Sequence, residues 1–115
     1  MNHEDTLRRL AMNDPAFVCD ILGGEHSDIR TSPLDPRSRA FARLGALVAV
    51  GATASSFRAE ADDALAAGAS IEEIVDILVA VAPAIGIARV VVAAPSLALA
   101  VGLDVDAELE ELDDP

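Results

Sequence analysis

A chain of 115 residues, 52% hydrophobic and 24% charged, has the length and composition of one globular domain, and its single cysteine excludes an internal disulfide. Twenty Asp and Glu stand against eight Arg and no Lys; the formal charge of −12 repels nucleic acid and anionic membrane surfaces, so neither is an expected partner. The longest uncharged runs, Ile77–Ala88 and Val90–Leu103, fall short of the ~18–20 residues that cross a bilayer, and Asp76 and Arg89 interrupt them. Met1–Met12 is charged throughout and lacks the apolar centre of a secretory signal, so a cytoplasmic location is expected.

With 23 Ala, three Phe and neither Tyr nor Trp, the intrinsic preference is for helix, and no strands are expected. Glu4–Met12 places Leu7, Leu10 and Ala11 at helical spacing, acids before arginines, which suits the helix dipole. Asn13-Asp14-Pro15 sets a capping carboxylate before a proline, predicting a second short helix over Pro15–Leu22 that Gly23-Gly24 ends. Gly23–Leu34 is rich in Gly, Ser, Asp and Pro and reads as a solvated connection. The expected organisation is an N-terminal helical arm over 1–32, a core over 33–103 and an acidic tail over 104–115.

Asp35-Pro36 repeats the cap-plus-proline start, with Phe41, Leu44, Leu47 and Val48 following at three- and four-residue steps up to Gly51. Ser55 or Ser56 is the expected cap of the next helix, which carries Phe57, Ala61, Ala64 and Leu65 on one face and stops at Gly68. Ser70-Ile71-Glu72-Glu73 is a capping box opening the helix of Ile74, Ile77, Leu78 and Val81. Pro83 and Gly86 are expected to kink or end it, and a last helix over about Ile87–Val101 is expected to bend at Pro95. The tail has Leu109 and Leu112 three apart, enough for one fraying turn.

Ile77–Ala82 and Val90–Leu103 are apolar at almost every angle, so they need cover on most sides. Neighbouring copies of the chain are the expected cover; the alternative is that the arm, Thr6–Leu22, folds over them in the same subunit. Phosphate-cradling glycine loops, nucleophile elbows, paired cysteines and His-x-x-x-His spacings are missing, and His3 and His26 lack companion ligands, so neither a metal site nor a cofactor is expected. Cys19, beside Asp20, reads as a small buried apolar residue rather than a reactive thiol. Helical spacing places Thr53, Glu60 and Ala64 in one stripe beside Phe57, so Glu60 falls at the edge of the apolar face, where it reads either as a boundary glutamate reaching solvent or as a partly desolvated carboxyl group suited to proton transfer. Arg89, isolated between apolar runs, is either a buried counter-ion, an anchor for a substrate carboxylate, or an arginine reaching past its neighbours to water.

The order Leu34-Asp35-Pro36-Arg37-Ser38-Arg39, then Ala64-Leu65-Ala66-Ala67-Gly68-Ala69-Ser70-Ile71-Glu72-Glu73-Ile74, then Gly86-Ile87-Ala88-Arg89 resembles the carboxymuconolactone decarboxylase family, which includes the AhpD-like alkylhydroperoxidases. The resemblance spans about Pro33–Gly102 and implies an all-α fold built on an antiparallel helical pair, assembled as a homo-oligomer, trimer or hexamer. It also implies that Thr53, Ser56 and Glu60 stand where peroxidase-type relatives carry Cys-x-x-Cys-x-x-x-His. Hydroxyls form no disulfide, so thiol redox chemistry is not expected. Decarboxylase-type relatives keep the histidine, which is Glu60 here, and the helix around Arg39–Arg43 lacks an acid that many relatives carry. Two readings follow. In one, Glu60 is an acid/base in a pocket lined by Phe57 and residues of the Leu78–Ile85 helix, with Thr53 and Ser56 as further substrate-binding positions and Arg89 holding an anionic small molecule; in the other, the chain is a non-catalytic scaffold or protein-binding oligomer.

Overall fold

The computed structural model describes residues 2–23 and 33–103, and among them every regular element is a helix. The chain divides into two compact units, Met1–Pro33 and Leu34–Pro115. The expected turn in the tail and most of the connection after Gly23 lie outside the described residues.

The first unit holds α1 (His3–Ala11) and α2 (Pro15–Leu22). Asn2 rather than Glu4 marks the start of α1: its side chain accepts the Asp5 amide at 2.9 Å. Between the helices Asn13 takes φ 53, a left-handed conformation that asparagine tolerates better than most residues, and Asp14 N–H closes back on Arg9 O at 3.0 Å. Asp14 then caps α2 by accepting from Ala16 N–H, with Pro15 in the first turn where no amide is needed. Phe17 is the buried residue of α2. Cys19 is exposed, which corrects the expectation that it is buried: two residues beyond Phe17 it lies about 200° around the helix, on the opposite face.

The second unit packs α3 (Pro36–Val50), α4 (Ala54–Ala66), α5 (Ile71–Ile85) and α6 (Ile87–Ala100). Going round the packing, α3 lies against α4, α4 against α6, α6 against α5 and α5 against α3, so α4 meets α5 only lightly across the diagonal. The core is built of Ala40, Leu44 and Val48 from α3, Phe57, Ala61 and Ala64 from α4, Ile74 and Ile77 from α5, and Val90, Ala93 and Leu97 from α6. Each set recurs at three- or four-residue steps, one face per helix. A Cβ on Gly45 would stand 3.2 Å from Val81 Cγ1, so the absence of a side chain there is what lets α3 and α5 approach.

The helix ends follow local chemistry. Gly68, at φ 96, lets Ala69 N–H reach Ala64 O at 3.0 Å, and the buried Ala69 packs into the core beyond it. Ser70 and Glu73 form the expected reciprocal box, 3.1 Å from Glu73 N–H to Ser70 Oγ and 3.0 Å from Ser70 N–H to Glu73 Oε1. Helix α5 runs through Pro83 and stops at Gly86, because a proline in the last turn removes only one amide donor. Helix α6 begins at the next residue and continues through Pro95. The start of α4 departs from expectation: the N-cap is Thr53, not Ser55 or Ser56, and its hydroxyl makes no cap bond to the backbone.

Candidate functional site

The site residues read from the sequence gather on α4, its approach and the first turn of α6. Gly51 ends α3 in the left-handed region, Ala52 follows, and Thr53 turns the chain into α4 with extended backbone, φ −79 and ψ 163. Thr53 is therefore not helical itself, although its carbonyl accepts Phe57 N–H at 3.2 Å and so begins the helical ladder. Its hydroxyl lies 3.0 Å from Ser55 Oγ and 3.4 Å from Ser56 Oγ, an exposed cluster of three hydroxyls at the positive end of the helix dipole. Ser55, considered in the sequence only as a cap, thus joins Thr53 and Ser56. Three hydroxyls in four residues were the signal for it.

Phe57 is wholly buried, so its ring is a wall of the core and has no face to solvent. One turn after Ser56, Glu60 is half-buried, and the helical spacing does place it at the boundary expected. Its Oε2 is buried and has no hydrogen-bond partner among the described residues. Left so, a carboxyl oxygen loses solvation by water without gaining a donor, and stability alone supplies no reason to keep it.

Arg89 is exposed, which corrects the reading of it as a buried counter-ion. Among the described residues the ion pairs are Arg8–Asp5 and Arg37–Glu73, so Arg89 and Glu60 are not joined in one. Arg89 Nη1 instead donates to Ala49 O at 2.7 Å. That carbonyl belongs to the last turn of α3, where carbonyls lack intrahelical partners and carry partial negative charge, so the guanidinium ties the first turn of α6 to the end of α3. No sequence pattern links residues 40 apart in this way.

A second polar cluster, absent from the sequence reading, joins the starts of α3 and α5. Arg37 Nη1 is 3.4 Å from Glu73 Oε2, and its guanidinium sits 5.6 Å from the centre of the Phe41 ring. The Glu73 carboxyl is held below its usual range, first by the Ser70 backbone N–H, with Arg37 and the Ser70 hydroxyl adding to it. Asp35 is likewise lowered, first by the Ser38 side chain, with Arg37 a minor contributor. These groups stabilise helix starts.

His3 is exposed on α1, and His26 lies outside the described residues. Among the described residues no three His, Cys, Asp or Glu side chains come together as a metal-binding group. No helix among them is long and apolar enough to cross a membrane. A family model described as "Carboxymuconolactone decarboxylase family" matches residues 15–99, from the first residue of α2 nearly to the end of α6. No curated protein and no solved structure matches the chain.

Proposed function

The chain belongs to the carboxymuconolactone decarboxylase family, and from that premise we propose that it performs acid/base chemistry on an anionic small molecule through Glu60, without thiol redox chemistry. The observation that carries this reading is the buried, unpartnered Oε2 of Glu60. A proton acceptor shielded from water and not already satisfied is available to a reacting C–H or O–H group in a way that an ion-paired carboxylate is not. Thr53 and Ser56, where peroxidase-type relatives carry thiols, supply hydroxyls that donate or accept hydrogen bonds but cannot cycle through a disulfide. Phe57 backs the site from the core. Arg89 spends one N–H on Ala49 O, and a guanidinium has five, so it retains donors for a substrate carboxylate. A cytoplasmic location and assembly as a trimer or hexamer belong to the same proposal, the latter supported by Ile87, Val91, Val92 and Leu99 standing exposed along α6.

The second reading, a non-catalytic scaffold or protein-binding oligomer, is favoured by the Arg89–Ala49 bond, which gives the arginine a structural task without any ligand. Turnover of carboxymuconolactone and related carboxylated lactones by the chain and by Glu60→Gln separates the two. Loss of about a hundredfold or more in kcat, with helical content unchanged, is expected of an acid/base group. Equal kcat in both proteins removes Glu60 from the chemistry, and absence of both binding and turnover in the unmodified chain supports the scaffold.

A further inference from the structure

We propose that Arg89 is a positioning residue: through the Ala49 carbonyl it fixes the turn between α3 and α4, and with it the placement of Thr53, Ser56 and Glu60. Its catalytic consequence rests on the reading of Glu60 given above, to which it adds how the site is held. Arg89 is the third residue of α6, near the positive end of that helix's dipole, where a cation is disfavoured and where α6 carries no acid to offset it. Helix α3 has the complementary lack, with no basic residue in its last turn. The bond of 2.7 Å from Arg89 Nη1 to Ala49 O brings the misplaced cation of one helix to the negative end of the other. Both ends of the bond are anchored: Val48 precedes Ala49, Val90 follows Arg89, and both valines are buried in the core.

The bond completes the end of α3. Gly51 takes φ 73, and around it Ala52 N–H reaches back to Leu47 O at 3.1 Å and Gly51 N–H to Val48 O at 3.4 Å. This left-handed helix end satisfies the carbonyls of Leu47 and Val48 and leaves that of Ala49, whose partner in a continuing helix is Thr53 N–H. Thr53 instead has extended backbone, and among the described residues no backbone N–H donates to Ala49 O. Arg89 stands in for that amide. The chain can therefore turn at Gly51 without leaving the Ala49 carbonyl unpaired, and Thr53 is released to become the N-cap of α4, its own carbonyl accepting Phe57 N–H at 3.2 Å. Ser56 is one turn beyond Thr53 and Glu60 one turn beyond Ser56, so a shift of the turn moves all three together.

The test compares the full chain with Arg89→Met by backbone amide exchange in NMR, beside kcat and KM for carboxymuconolactone. The amides of Ala52 and Phe57 report on the turn; that of Ile74, bonded to Ser70 O at 3.1 Å as the first rung of α5, is the reference, since its fraying does not break the Arg89 bond. Exchange at Ala52 and Phe57 is expected to speed up about fivefold relative to Ile74, the effect of one hydrogen bond. The value of kcat is expected to fall about tenfold whatever KM does, because a misplaced acid/base group slows the chemical step. Arg89→Lys keeps the charge and a donor, and only one N–H is used on Ala49 O, so recovery of both readouts is expected; lysine values equal to those of methionine overturn the proposal. Equal acceleration at Ala52, Phe57 and Ile74 makes the bond a general stabiliser and also overturns it. A rise in KM with kcat unchanged does the same, leaving Arg89 as a substrate anchor alone. An unmodified chain without turnover removes the reading of Glu60, and the exchange pattern then decides by itself whether Arg89 holds the turn.

Discussion

Glu60 is expensive to fold around. Its buried Oε2 has lost water and gained no donor, a situation that destabilises by roughly 1–3 kcal/mol in mutational series. Glu60→Met fills a similar volume without a polar atom, and we expect it to raise stability by about 1 kcal/mol in urea unfolding while abolishing any turnover. A fall in stability would show that the carboxyl is satisfied in solution by a bound water. Arg89 makes the opposite contribution. Arg89→Met removes the donor to Ala49 O and is expected to destabilise by about 1 kcal/mol, whereas a role confined to gripping a ligand leaves unfolding unchanged. The position of Glu60 was legible in the sequence because a hundred degrees per residue sets it beside Phe57. The partner of Arg89 was not, because nothing local connects it to a carbonyl at the end of another helix.

Helices begin and end here through short-range chemistry, which is why most boundaries could be read in advance. Pro15, Pro36 and the Ser70–Glu73 box each mark a start by groups within three residues of one another. The start of α4 lies two or three residues before the expected cap because Thr53, Ser55 and Ser56 are all competent caps, and the backbone conformation at Thr53 decides among them. Ser70→Ala should cost about 1 kcal/mol by leaving the Glu73 amide without its acceptor. Gly68→Ala should cost at least that much, because φ 96 is strained for any residue with a Cβ even though open space surrounds the position. The Glu73 carboxyl, lowered below its ordinary value of 4.5 chiefly by the Ser70 N–H, binds its proton less readily folded than unfolded. Its contribution is therefore complete above pH 4.5 and is lost as pH falls through the lower folded value. Glu73→Gln keeps an oxygen for the Ser70 amide but has no proton to take up. Unfolding curves measured from neutral pH downward should show a shallower acid loss in that variant, and an identical slope would assign the acid limb to other carboxylates such as Asp35.

For the whole molecule, the all-helical class followed from composition, but the packing order did not: that α4 lies beside α6 and only touches α5 depends on side-chain fit, including the small gap that Gly45 leaves for Val81. The surplus of apolar surface was legible, since Val90–Leu103 has too few polar residues to furnish a wet face. Around the axis of α6, Val90, Ala93 and Leu97 turn to the core, while Ile87, Val91, Val92 and Leu99 fall in one exposed arc of about 140°. Val92 is 72% exposed at one end of that arc, so an aspartate there meets water in the isolated chain and other apolar groups in an assembled one. Val92→Asp should leave the helical signal and urea midpoint of the isolated chain within about 0.5 kcal/mol of the original. In an assembled protein the same change buries a carboxylate without a partner and should weaken association at least a hundredfold, read as a fall to monomer mass by light scattering. Unchanged mass in both proteins would mean that the α6 arc is not where copies of the chain meet.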